Sequence, residues 1–369
     1  MIRPLRAVPA LLCVGAWVAF LAPGRIDAQT VYRAYVAAES EDEVAVLRFD
    51  TERGLEVERV ISVGRWPAEI EGPHGVFFDP TGAYWYLTLG HGFPNGTLLQ
   101  FDASADTVVA WSELGMFPAT ISLTHEGALA FVVNSNFYGD MVPSTLSIID
   151  TKTMFEIAQV ETCTMPHGSR MSVDGTHHYS ACMMDNQLVE VSTQSLEVTR
   201  RMDLVTGTDL TAHDAGAHGA MRSGTAPICS PTWTLPAPDG ATLYVACNKG
   251  DQIVEVDLES WSVARRFDAE GAPYNLALTP DGSRLLATLK GSAQVGVWDV
   301  ESGERVATVE SSQRVTHGVA TTDDGRFAFV TVEGVGGEPG LVEVIDLSSL
   351  ERVASAEIGK QAGGIALVP

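Results

Sequence analysis

Basic residues are scarce in this chain: 23 Lys and Arg stand against 47 Asp and Glu, a formal net charge of −24. A surface that acidic repels phosphate backbones and anionic lipid, which excludes nucleic acid as a partner and keeps an exported protein soluble. Cysteine is sparse too, with five in 369 residues. None forms a C-x-x-C pair, so thiolate zinc sites built on such pairs and covalent haem attachment through C-x-x-C-H both lack their residues. G-x-S-x-G, H-E-x-x-H and a phosphate-binding glycine loop are also missing, which removes the hydrolase elbow, the zincin helix and the nucleotide cradle.

At the N-terminus, Arg3 and Arg6 precede an apolar stretch from Ala7 to Pro23, and Ile26-Asp27-Ala28 offers a small residue before Gln29. This is the pattern of a secretory signal peptide over residues 1–28, too short and wrongly flanked for a membrane span. Cys13 lacks the preceding small residues of a lipoprotein site. The expected product is soluble, periplasmic or secreted, with no membrane span after cleavage and a single domain over 29–369.

That domain is a repeat. Its clearest copy runs from Cys229 through a turn at Asp239-Gly240, a strand from Leu243 to Ala246, a turn at Asn248 to Asp251, and a third strand ending at Asp257. Equivalent starts fall at Pro73-His74-Gly75, Pro118-Ala119-Thr120, Pro166-His167-Gly168, Pro231-Thr232-Trp233, Pro273-Tyr274-Asn275, Thr316-His317-Gly318 and Ala362-Gly363-Gly364. A period of about 40 to 50 residues with several β-runs per copy predicts an all-β, seven-bladed β-propeller of four-stranded antiparallel blades. Glycines recur in the first turn at Gly82, Gly127, Gly175, Gly240, Gly282 and Gly325. An Asp ends the third strand at Asp50, Asp102, Asp150, Asp257, Asp299 and Asp346, with Ser192 in that place in blade three. The seventh copy stops after one strand, so Val31–Ala37, Val44–Phe49 and Val57–Val63 are expected to complete it, closing the ring with both termini and hiding sheet edges.

Cys163 and Cys229 precede the first strands of blades three and four, and Cys182 and Cys247 end the second strands of those blades. Antiparallel neighbours bring these positions together, which predicts disulfides Cys163–Cys182 and Cys229–Cys247, one per blade. Starts lie 42 to 48 residues apart except for 65 between His167 and Thr232. The surplus, Val205 to Ile228, is rich in small residues and reads as a loop, a lid over one mouth of the channel.

In such a blade, the loop into the first strand and the loop between strands two and three emerge on one face. His74, His167 and His317 begin first strands, His91 follows the second strand of blade one, and His213 and His218 ride on the inserted loop, so six of nine histidines share that face. His125, His177 and His178 fall at the opposite turns. Converging neutral imidazoles suit zinc or copper, and Met165, Met183 and Met184 would add soft ligands for copper. The alternative makes each Pro-His-Gly a turn whose imidazole satisfies a backbone group. Blades one and three are not neighbours, so joint coordination needs a narrow channel or a lid. The same face carries Trp233, Tyr274, Asn275, Asn134, Asp185 and Asn248, a mixture of aromatic planes and polar tips expected to bind a small ligand, with Asn136 and Glu333 beside them. Asp79, Asp174, Asp239, Asp281 and Asp324 are expected as turn residues, and Trp111, Trp233 and Trp298 as core.

Tyr244-Val-Ala-Cys-Asn-Lys-Gly250, followed by Ile253-Val-Glu-Val-Asp257, resembles the Tyr-Val-Thr-Asn repeat of the YVTN-type, YncE-like bacterial propellers. Phe131-Val-Val-Asn134 with Leu146-Ser-Ile-Ile-Asp150 is similar to a second copy, and the resemblance covers essentially the whole mature chain. It implies an exported propeller whose role is binding or scaffolding, with a small molecule, a metal or another exported protein as partner. Fold relatives include lactonase-like proteins and the haem-carrying cytochrome d1 propellers. They imply an alternative: a metal-assisted hydrolase of the lactonase type, or a metal- or haem-dependent oxidoreductase with non-covalent haem on His167 or His317. Function rests on the site rather than the fold, and the resemblance delivers no catalytic residues.

Overall fold

The turn after each first strand is built on glycine. Gly82, Gly127, Gly175, Gly240, Gly282 and Gly325 all sit at φ between +68° and +73°, a left-handed geometry that a Cβ would oppose. Asp79, Asp174, Asp239, Asp281 and Asp324 accept backbone N–H bonds inside these turns. The Asp residues that end third strands do the same for the next turn, each accepting from an amide two or three residues ahead. Both sets are therefore turn formers, which accounts for their period in the sequence.

The computed structural model describes residues 30–66, 68–92, 94–211 and 227–369; the expected signal peptide over residues 1–28 and the loop histidines His213 and His218 lie outside the described residues. The strands form seven antiparallel sheets, a seven-bladed β-propeller. Blade one orders Pro73–Phe78, Tyr84–Leu89, Thr97–Asp102 and Thr107–Glu113 from axis to rim. Blade seven orders Ala362–Leu367, Tyr32–Ala38, Glu43–Asp50 and Gly54–Ser62, so the C-terminal strand is innermost and the N-terminal segment completes its sheet. Closure by the termini is thus as expected from the truncated seventh copy. Blade three gains a fifth, two-residue strand, Thr208–Asp209, where the inserted segment first folds back on the rim.

Among the described residues, buried apolar side chains fall into seven clusters, each spanning one pair of neighbouring blades. Stability is consequently nearest-neighbour in character, with a closed ring in place of capping repeats. Hydroxyls also stitch blades together near the axis: Thr88 Oγ1 donates to Ala119 O (3.2 Å), Thr120 Oγ1 to His167 O (2.6 Å), Thr288 Oγ1 to His317 O (2.8 Å) and Thr331 Oγ1 to Gly363 O (2.7 Å). The inner strands approach so closely that a Cβ on Gly75 would stand 2.3 Å from Ala119 O, and one on Gly364 2.0 Å from His74 O.

Both expected disulfides are present. They differ from the one-per-blade expectation in one respect. Cys163 belongs to the outermost strand of blade two, Phe155–Thr164, which runs almost directly into blade three, so Cys163–Cys182 ties two blades together. Cys229–Cys247 stays within blade four. Trp298 is core, but Trp111 is 55% exposed on the outermost strand of blade one, with the Arg65 guanidinium 5.3 Å from its ring.

Candidate functional site

All seven first strands begin in the same strained way. The residue before each one, Gly72, Phe117, Met165, Ser230, Ala272, Val315 or Gln361, has φ between +46° and +73°. In all seven blades an extra residue then bulges the first strand against the second. Bulges re-aim side chains, and here they aim the second residue of each inner strand at the axis. Those residues are His74, Ala119, His167, Thr232, Tyr274, His317 and Gly363. Small residues in blades two, four and seven leave room for the large ones from blades one, three, five and six.

The four large rings consequently meet across the channel. Centroids of His74 lie 5.7 Å from His167 and 5.8 Å from His317, while Tyr274 lies 5.5 Å from His167 and 4.7 Å from His317. All four are buried, between 3% and 9% exposed. The channel is narrow enough for imidazoles from blades one, three and six to touch without a lid.

Hydrogen bonds fix the roles of the rings. Thr232 O lies 3.2 Å from His167 Nδ1, and a carbonyl only accepts, so Nδ1 carries the proton. His167 Nε2 then accepts from Tyr274 Oη at 3.1 Å, and the ring is neutral with both nitrogens engaged. Burial, aided by the charges on His74 and Lys290, pulls its pKa down to about 3. His317 is likewise held neutral by burial and by Lys290, its pKa well below the usual histidine value. Its Nδ1 has no partner among the described residues.

Glu39, buried at the end of the second strand of blade seven, bridges two histidines. His74 Nδ1 donates to Oε2 at 3.1 Å and His91 Nε2 to Oε1 at 2.6 Å. Burial alone would raise this carboxyl; the charge on His74 and the two imidazole bonds outweigh it and hold Glu39 well below the ordinary carboxylate range. Across the channel, Lys290 Nζ donates to Glu333 Oε1 at 2.7 Å and lies 4.2 Å from the Tyr274 ring. Above His91, Phe117, Phe137 and Tyr138 form an aromatic lip, the last two 46% and 57% exposed.

Of the expected metal set, His74, His91, His167 and His317 are brought together, but as a hydrogen-bonded cluster. Among the described residues no group of three or more His, Cys, Asp or Glu is arranged to hold a metal ion. Axial ligation of a haem by His167 through Nε2 would have to displace the Tyr274 hydroxyl from that nitrogen. Of the expected ligand set, Tyr274 joins this cluster, while Trp233 and Asn275 line a cavity of about 280 Å³ that runs along the channel beneath it. Trp233 Nε1 and Asn275 Oδ1 are buried there without partners. The other three hold the scaffold: Asn134 bonds Thr145 and Ser147, Asn248 the carbonyls of Ala272 and Pro273, and Asp185 the Thr164 amide.

Glu39, Lys290, Phe117 and Arg170 escaped the sequence reading. Glu39, Lys290 and Glu333 occupy one slot of the repeat, directly after the second strand, so aligning the blades on that slot would have found them. Phe117 and Arg170 carried no such signal.

No family model matches the chain, and no curated protein does. The solved structures similar to it include Kuenenia stuttgartiensis hydrazine synthase, at a TM-score of 0.63 and 18% identity over 82% of this chain and 91% of that one. A functionally unknown protein from Desulfotomaculum acetoxidans aligns at a TM-score of 0.67 and 14% identity over 91% and 98%. At these identities the similarity shows the β-propeller fold and nothing finer.

Proposed function

We propose that the protein is an exported binding propeller that receives a small organic ligand in its central channel, with His74 and His317 in the end wall and His167 and Tyr274 packed against them. The observation that carries this reading is one cavity joining apolar walls to the buried, unpartnered polar atoms of Trp233 and Asn275. An unmet buried polar group costs about 1–3 kcal/mol, which a ligand group in hydrogen-bond contact recovers. Two disulfides support export, since such bonds persist in oxidising compartments. Binding without turnover is supported by two of the three histidines: His167 has no free nitrogen to act as a base, and Glu39 holds His74, which leaves His317 Nδ1 as the ring atom without a partner among the described residues.

A thermal-shift screen of neutral, cationic and anionic small molecules, followed by calorimetry, tests the reading. Ligands should lose about tenfold or more in affinity in Asn275→Leu and Trp233→Phe and be unaffected by Trp111→Ala on the rim. A screen with no ligand dependent on Trp233 or Asn275 would overturn it. A second reading, zinc or copper among His74, His91 and His317, is favoured by the convergence of the rings and requires Glu39 to release two of them. Equal zinc affinity in the native protein and a His74→Ala, His317→Ala variant removes that reading.

A further inference from the structure

The channel contains a cation with no counter-ion among the described residues. Arg170, next to last in the first strand of blade three, Pro166–Met171, lines the cavity three residues beyond His167, about 10 Å along the strand. Its guanidinium carbon lies 4.5 Å from the Trp233 ring, and Nη1 donates to Ser169 O at 2.8 Å. Among the described residues it makes no ion pair. The contrast with buried-side guanidinium groups elsewhere is direct: Arg200 pairs with Glu190, Arg265 with Glu255 and Arg352 with Glu343. Burial with no carboxylate to offset it pulls Arg170 down to about 10.

Two buried atoms without a partner among the described residues, Trp233 Nε1 and Asn275 Oδ1, thus face the same small space as the Arg170 guanidinium, which lacks a counter-ion there. A planar guanidinium matches a carboxylate bidentately, and an indole N–H is a donor only, so both want an acceptor. Val76, Phe78, Ile121, Val319 and Leu367 give the same cavity hydrocarbon walls, with His74, Thr120 and His317 as its further polar lining. A multiply charged anion would meet the field of a chain carrying −24 and one cation to receive it. We infer that the channel binds an organic monocarboxylate, its carboxylate held by Arg170 and Trp233 and its compact apolar body by the surrounding walls. The volume of about 280 Å³ limits that body to a single ring or a short branched chain.

This inference rests on the channel being the ligand site and names the ligand class. The experiment is calorimetry of the mature protein with acetate, isovalerate and benzoate, each against its neutral primary amide. Carboxylates should bind about 10- to 100-fold more tightly than their amides, the span of a charge-assisted bond, with isovalerate and benzoate above acetate. Arg170→Gln should abolish the preference for the acid. Equal binding of acids and amides in the native protein overturns the carboxylate assignment whether or not the variant folds, and so does a preference that survives Arg170→Gln. Amides bound in a Trp233-dependent manner would then leave the channel as a ligand site, whereas no Trp233-dependent binding by either series removes both readings.

Discussion

The two ends of the channel contain similar amounts of buried polarity and treat it in opposite ways. At the histidine end, almost every group has a partner: Glu39 takes two imidazoles, His167 is bonded at both nitrogens, and Lys290 answers Glu333. At the far end, among the described residues, Arg170 lacks a counter-ion, and Trp233, Asn275 and the neighbouring His178 hold buried atoms with no partner. A satisfied buried network rigidifies its surroundings, whereas an unsatisfied one is either a liability or a place for something else to bind. Six histidines on one face pointed to the first end. Unmet valence points to the second.

If the histidine end is a structural closure, breaking its hub should produce the largest effect. Glu39→Ala leaves two imidazoles without their carboxylate in a buried setting, and should destabilise the protein by about 3–5 kcal/mol. Urea unfolding followed by tryptophan fluorescence measures this directly. A loss under about 1 kcal/mol would mean that the cluster is ornamental to folding and free to rearrange around a ligand.

Acid should sharpen the comparison next. His167, His178 and His317 all have folded pKa values depressed by burial, the first two to about 3. The unfolded chain therefore takes up protons near pH 6.5 while the native state refuses them. Stability is fully present above pH 6.5 and is lost as pH falls towards 3, by up to about 1.4 kcal/mol per pH unit for each group. Glu39, whose folded pKa is lowered, adds to the loss only below the ordinary carboxylate value, near 4.5. Unfolding midpoints flat between pH 7 and 5 would contradict a buried neutral cluster.

The smallest effect belongs to the far end and has the opposite sign. His178 is fully buried against Phe131, ring centroids 5.4 Å apart, with neither ring nitrogen bonded and the charge of Arg170 nearby. His178→Phe removes two unmet polar atoms and keeps the stack, so stability should rise by about 1–2 kcal/mol and the acid sensitivity should shrink. A destabilised variant, checked by thermal melting at pH 7, would show that the ring has a partner not accounted for.

Period, turn residues and cysteine placement were legible without a structure because each is local. A glycine at φ near +70° every blade, an Asp closing each third strand and an antiparallel register that apposes Cys229 with Cys247 follow from chain geometry over some twenty residues, and the truncated last copy forced closure by the termini. The metal-like grouping of histidines was legible only as a shared face. Whether the rings would coordinate or hydrogen-bond depended on Glu39, supplied by blade seven to His74 and His91 of blade one, and on small residues at Ala119, Thr232 and Gly363 that let distant blades meet. Arg170 was invisible for the same reason: whether an arginine is paired depends on what lies across an axis shared by seven blades. Sequence by itself determined the ring and its stitching, because those are set by neighbours along the chain. Tertiary structure alone decided which polar groups are satisfied and which are left facing the channel, because that depends on side chains converging from blades far apart in sequence.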